Sequence, residues 1–120
     1  MTWVSDARRR LAEDERATRE RLAGLERERD GILAASESAN SDDEHDPEGA
    51  TIAFEREHTA SLLSHARRHL DEIQAALRRL DEGSYGTCGS CGRPIAAERL
   101  AARPAATTCI SCASGHGTRP

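Results

Sequence analysis

All four cysteines of the chain fall between residues 88 and 112, as Cys88-Gly-Ser-Cys91 and Cys109-Ile-Ser-Cys112. Two residues inside each pair let both thiolates reach one ion. The seventeen residues between the pairs let the second knuckle fold back and complete a tetrahedron of soft sulfur ligands, as Zn²⁺ prefers. The rival readings are two disulfides, a thioredoxin-like redox pair, or an iron–sulfur cluster. Disulfides need an oxidising compartment that nothing in the chain indicates, and a redox CxxC sits alone at a strand-to-helix turn of an α/β fold, a pattern absent here. The spacing is read as one structural Zn²⁺ held by Cys88, Cys91, Cys109 and Cys112. Four thiolates leave no coordination position for water or substrate, so the metal is expected to build structure and not to catalyse.

A metal knuckle is small, and the remainder of the 120 residues offers little bulk for an ordinary core: aromatic content is 2% and charged content 32%. A coiled-coil seam together with the metal can hold such a chain. The opening MTWVSDARRR has no apolar leader core, and no apolar run reaches spanning length, so a cytoplasmic protein without membrane association is expected. That compartment keeps thiols reduced and open to zinc.

Residues 4 to about 35 read as one long helix. Val4, Leu11, Thr18, Leu25 and Ile32 recur at sevens, and Leu22 is the only apolar member of the companion row Arg8, Glu15, Leu22 and Arg29. So thin a stripe needs a partner. Residues 51 to 82 supply it, with Ile52, Thr59, Ala66, Ile73 and Leu80 at sevens and Leu63, Leu70 and Leu77 in the companion row. Gly83 suits the left-handed position just past that helix. Two helices of matched length with a short connection make an antiparallel hairpin. Parallel homodimerisation is the competing use of the same heptads, but the short connection gives pairing within one chain the higher effective concentration, so a monomer is expected.

The stretch 36–51 between the helices carries six acids (Glu37, Asp42, Asp43, Glu44, Asp46, Glu48) and no Arg. Removing these six from the formal net charge of −4 leaves +2 for everything else, so the acidity is concentrated in one place. Asp46-Pro47 reads as N-cap and first position of the second helix. A helix of about 32 residues is roughly 48 Å long at 1.5 Å per residue, which would display the acids far from the metal module.

Other chemistry finds no support. His65 and His69 share a helix face at i, i+4 but lack a third ligand, and His116 would add a fifth ligand to a complete set. No acid sits in an apolar run that would raise its pKa, and no phosphate loop, nucleophile elbow or triad pattern occurs. Arg93, Arg99 and Arg103 could touch nucleic acid, but the chain is net negative and has no interleaved aromatic residues for base stacking. The chain is therefore not expected to be an enzyme or a sequence-specific nucleic-acid binder.

The pattern Tyr85-Gly86-x-Cys88-x-x-Cys91-Gly92-x-x-Ile95, followed by Arg99-Leu100-x-Ala102-x-Pro104-x-Ala106-x-x-Cys109-x-x-Cys112, resembles the C4-type zinc finger of the DksA/TraR transcription factors. The resemblance covers about a quarter of the chain. It implies a mainly α fold, with a long antiparallel helical hairpin over 1–83, a zinc-finger module over 84–114 and a disordered tail over 115–120. It further implies a partner, bacterial RNA polymerase, with the hairpin inserted through the secondary channel and an acidic tip near the catalytic magnesium. The tip residues carried over are Asp43, Asp46 and Glu48. The family's Asp-x-x-Asp-x-Ala tip appears here as Asp46-Pro-Glu-Gly49-Ala-Thr51, which keeps only the first Asp, while the register Asp43-x-x-Asp46-x-Glu48 recovers two Asp without the Ala. The eight residues after Cys112 are too few for the C-terminal helix of longer members, so a ppGpp response is not carried over. The alternative function is a zinc-stabilised helical adaptor for another protein.

Overall fold

Two helices carry most of the chain: α1, Thr2–Ala39, and α2, Pro47–Glu82. The computed structural model describes residues 2–39 and 47–115. Two short helices follow, α3 (Ala97–Ala102) and α4 (Ile110–Ala113), and among the described residues the only β pairing is an isolated antiparallel bridge between Thr87 and Pro94. The fold is mainly α, a helical hairpin followed by a small cysteine-bearing module.

Both long helices run further than their heptads predict. α1 continues to Ala39, so 36–39, read as connection, are helical, and α2 begins at Pro47, the first helical position that the Asp46-Pro47 pair indicates, ahead of the heptads that start at 51. Ser36 to Ala39 contain no breaker, and the fixed φ of Pro47 suits a first helical position, where its missing N–H is not needed. Asp43, Asp46 and the proposed cap at Asp46 lie outside the described residues; Glu48 falls in the first turn of α2.

The described chain divides between Arg16 and Ala17 and again between His69 and Leu70 into two compact units. In the unit formed by 17–69, the buried face consists of Thr18, Leu22 and Leu25 of α1 with Thr59, Leu63 and Ala66 of α2, all at the expected seam positions. Ile32 and Ile52 are only half-buried.

In the other unit, α1 and α2 pair antiparallel through Ala7, Leu11, Ile73, Ala76 and Leu80, with Val4 and Leu77 packed alongside. Leu11, Ile73 and Ala76 are fully buried. Two corrections to the heptad reading arise here. The companion row of α2 contributes Ala76 where Leu77 was expected, and Leu70, expected at the centre of the seam, is half-buried. On α1 Ala7 is buried as well, one residue before the exposed Arg8, whose guanidinium instead pairs with Asp81 at 3.0 Å. Small side chains let helix backbones approach, so alanine takes positions where a bulkier residue stays partly outside.

α2 stops as Gly83 predicts. Its φ is +82°, the Ser84 N–H donates to the Arg79 carbonyl at 2.9 Å, and the Gly83 N–H donates to the Leu80 carbonyl at 3.3 Å. This paired pattern caps the last carbonyls and turns the chain off the helix axis. Tyr85, the next residue along, is buried in the same cluster as Leu11 and Leu80.

Candidate metal centre

The first knuckle grows out of that turn. The Ile95 N–H donates to Gly86 O at 2.7 Å and the Cys88 N–H to Arg93 O at 2.8 Å, closing a tight loop on the Thr87–Pro94 bridge. Within it the Gly92 N–H donates to Cys88 O at 3.0 Å, and Gly92 has φ +76°, a conformation that a side chain would strain. The second knuckle is the start of α4: Cys109 is its N-cap, and the Ala113 N–H donates to Cys109 O at 2.9 Å. A further backbone bond, Gly89 N–H to Thr107 O at 2.8 Å, ties the two knuckles together.

These turns converge four sulfurs. The Sγ atoms of Cys88, Cys91, Cys109 and Cys112 all lie within 4.8 Å of one another, the only group of three or more potential metal ligands of this kind among the described residues. Cys91 Sγ and Cys109 Sγ are 3.8 Å apart, and all four thiols are free. A tetrahedron with Zn–S bonds of about 2.3 Å has an edge of about 3.8 Å, whereas a disulfide would bring two sulfurs to about 2.05 Å. The four cysteines fit one structural Zn²⁺.

The thiols are electrostatically unequal. Cys88 is lowered to about 6, first by the backbone amide of Cys109 and then by that of Cys91. Cys109 is also lowered, chiefly by the backbone amide of Cys112. Cys112 is pushed up to about 12, first by burial and then by hydrogen bonding to the thiols of Cys109, Cys88 and Cys91. Such a cluster cannot ionise fully by itself, since each new thiolate repels the others; a divalent cation removes that obstacle. The donor set therefore suits a cation and gives it no open face for chemistry.

Beneath the cluster, Cys88, Cys112 and Ile95 form a small core with Leu100 and Cys109 packed on it. Two side chains clamp the connecting segment: the Tyr85 hydroxyl donates to Pro104 O at 2.8 Å, and Arg99 Nε donates to Thr108 O at 2.7 Å. Arg99, counted from sequence among possible nucleic-acid contacts, is thus part of the module's scaffold, while Arg93 and Arg103 are exposed. Sequence reading also missed Arg10, whose Nη1 donates to Ala101 O at 3.2 Å and fastens α1 to α3.

Residues 83–116 match the family model of the prokaryotic dksA/traR C4-type zinc finger. This segment is a zinc finger of the DksA/TraR family. Among curated proteins, an uncharacterised protein YteA of Bacillus subtilis is 42% identical over 66 residues, 55% of this chain and 28% of that protein. The RNA polymerase-binding transcription factor DksA of Caulobacter vibrioides is 43% identical over 53 residues, 44% of this chain and 37% of that protein. The matches thus span about a third of the length of these curated relatives. Among solved structures, transcription factor DksA2 from Pseudomonas aeruginosa superposes with a TM-score of 0.77 at 27% identity, over 95% of this chain and 82% of that one. The likeness therefore extends beyond the DksA/TraR finger to the hairpin helices. Among the described residues no helix is long and apolar enough to cross a membrane.

Proposed function

We propose that this protein is a transcription regulator that binds bacterial RNA polymerase, passing its helical hairpin into the secondary channel and resting its finger on the outer surface, without reading DNA sequence. The observation that carries this reading is the likeness to a DksA2 transcription factor over 95% of the chain, hairpin included. The name of the Caulobacter relative, an RNA polymerase-binding factor, points to the same partner. In this reading residues 1–83 form the hairpin, with its acidic tip at 36–51, and 84–114 the finger. Cys88, Cys91, Cys109 and Cys112 are the ligands of the single zinc ion, Asp43, Asp46 and Glu48 are the tip effectors, and the protein works as a cytoplasmic monomer with no catalytic role of its own.

The geometry of charge favours a channel over a duplex. The six carboxylates within residues 36–51 would repel DNA phosphate. They complement a protein passage that ends in magnesium and basic residues, and a paired-helix hairpin is narrow enough to enter one. Because the second family Asp is Gly49 here, the regulatory effect is expected to be weaker than that of a member with an intact tip.

The test is retention of core RNA polymerase on the immobilised, zinc-loaded protein, with the secondary channel open and then occluded by a bound ligand. Retention that disappears on occlusion supports the reading. Retention of neither form, with another protein captured instead, would move the adaptor function ahead.

A further inference from the structure

Beside the finger, in the same compact unit, lies an open cleft of about 490 Å³ that the metal centre does not use. Its volume falls within the range of small-molecule sites, roughly 300 to 1,000 Å³. One wall is aromatic: the rings of Trp3 and Tyr85, at the start of α1 and in the turn after α2, are 6.0 Å apart and tilted by 34°. Ile95 and Leu100 help to line the rest. Trp3 is 53% exposed, an unusual position for the one tryptophan of a chain so poor in aromatic residues. Gly86 lies against this wall, since a Cβ built on it would come within 3.6 Å of both Trp3 and Leu100.

The polar groups at the cleft are biased in sign. Arg10 lines it and is held by one bond from Nη1 to Ala101 O, which leaves the other edge of its planar fork available. Behind Tyr85, Arg79 Nη2 is buried without a hydrogen-bond partner. The fields of Arg10 and Arg79 both reach the Tyr85 hydroxyl, where they oppose the upward push of burial. That hydroxyl is committed as a donor to Pro104 O, so a guest would meet only its lone pair. Asp6 is the single acid on the lining, and it shares its charge with Arg9 at 3.5 Å. The Arg10 guanidinium on the lining, reinforced by the field of the buried Arg79, stands against one partly neutralised carboxylate and makes a locally positive, apolar-walled recess in a chain of net charge −4.

We propose that this cleft binds a small planar aromatic acid, its ring against Trp3 and Tyr85 and its carboxylate or sulfonate on Arg10. The proposal is independent of polymerase binding. A flat apolar body fits the aromatic wall, and an anionic head takes up the charge-assisted hydrogen bonds that Arg10 leaves unused.

The single tryptophan makes the site directly observable. The zinc-loaded full chain is titrated with 1-anilinonaphthalene-8-sulfonate and, separately, with the uncharged N-phenyl-1-naphthylamine, following Trp3 emission and energy transfer to the probe. The expected result is one sulfonate probe per chain with Trp3 quenched, and affinity for the neutral probe at least about tenfold weaker. Arg10→Gln should erase most of that difference. Ala97→Trp, at an exposed lining position of α3, should abolish binding of both probes with zinc content and helicity unchanged. If Arg10→Gln does not fold, Asp6→Asn replaces it and should tighten the sulfonate probe by about twofold or more. Equal affinity for charged and neutral probes, binding that survives Ala97→Trp, or no gain with Asp6→Asn would overturn the proposal. So would a dimeric mass in sedimentation with no probe bound, since a second copy would then be the occupant.

Discussion

Tyr85, at the start of the finger, clamps the segment between the two knuckles through one hydroxyl, and Tyr85→Phe isolates that bond. Loss of the 2.8 Å contact to Pro104 O should lower unfolding stability by about 1 kcal/mol at neutral pH, read by chemical denaturation. Burial raises the Tyr85 pKa above its ordinary 10.0, so the folded state favours the neutral phenol. That contribution is complete below pH 10 and is lost as pH rises through the higher folded value, so the gap between wild type and Tyr85→Phe should narrow in alkali. The metal ligands make a second prediction. One zinc per chain is expected by elemental analysis, and Cys109→Ser with Cys112→Ser should abolish it; iron in its place would refute the zinc assignment. Zinc affinity should rise with pH through the neutral range, because Cys112, pushed up to about 12, must release its proton to bind, whereas Cys88 at about 6 enters already ionised. The four cysteines were legible from sequence because their spacing is local. Arg10 and Arg99 were not, because their acceptors are the carbonyls of Ala101 and Thr108, and a backbone oxygen leaves no mark in a side-chain pattern.

The helices show what a heptad can and cannot tell. Leu11, Thr18, Leu22, Leu25, Leu63, Ala66, Ile73 and Leu80 are all buried where period-seven counting puts them. Ala7 and Ala76 escaped the count because counting by bulk ranks leucine above alanine, whereas close packing of two backbones selects the smaller residue. The end of α1 was underestimated because its heptads fade before the hydrogen-bond ladder does. A pair of substitutions tests the corrected seam. Leu63→Asp places an unpaired charge in a nearly dry position, 2% exposed, and should destabilise the hairpin by several kcal/mol in thermal or urea unfolding. Leu70→Asp, at a half-buried position, should lose distinctly less. Equal losses would restore the original register, with Leu70 at the centre of the seam.

Binding and regulation are expected to separate across the molecule, because the charge that should act on the polymerase site is confined to one short segment. Replacing Asp43, Asp46 and Glu48 together by Ala should leave polymerase affinity within about tenfold, or 1.4 kcal/mol, while abolishing the effect on open-complex lifetime at a promoter that forms short-lived complexes. Gly49→Asp should strengthen that effect. If wild type and the triple variant change the lifetime equally, the acids are a solvated connection and the hairpin serves as an adaptor. The parts that the proposed function needs were legible in the sequence, but the fit between a hairpin and any partner depends on surfaces that no single chain encodes.

Tyr85, Leu100 and Ala105 pack in one cluster with Ala7, Leu11, Ile73 and Leu80, so the finger and the root of the hairpin share a core. Metal supply is therefore expected to govern the stability of that shared core. Below saturation of the native state, each tenfold fall in free zinc removes no further support, but above it each tenfold rise adds about 1.4 kcal/mol to this root. Circular dichroism during chelation should register the same linkage as helix lost in step with zinc. A fall in free zinc would accordingly slacken this root through the protein's own folding equilibrium.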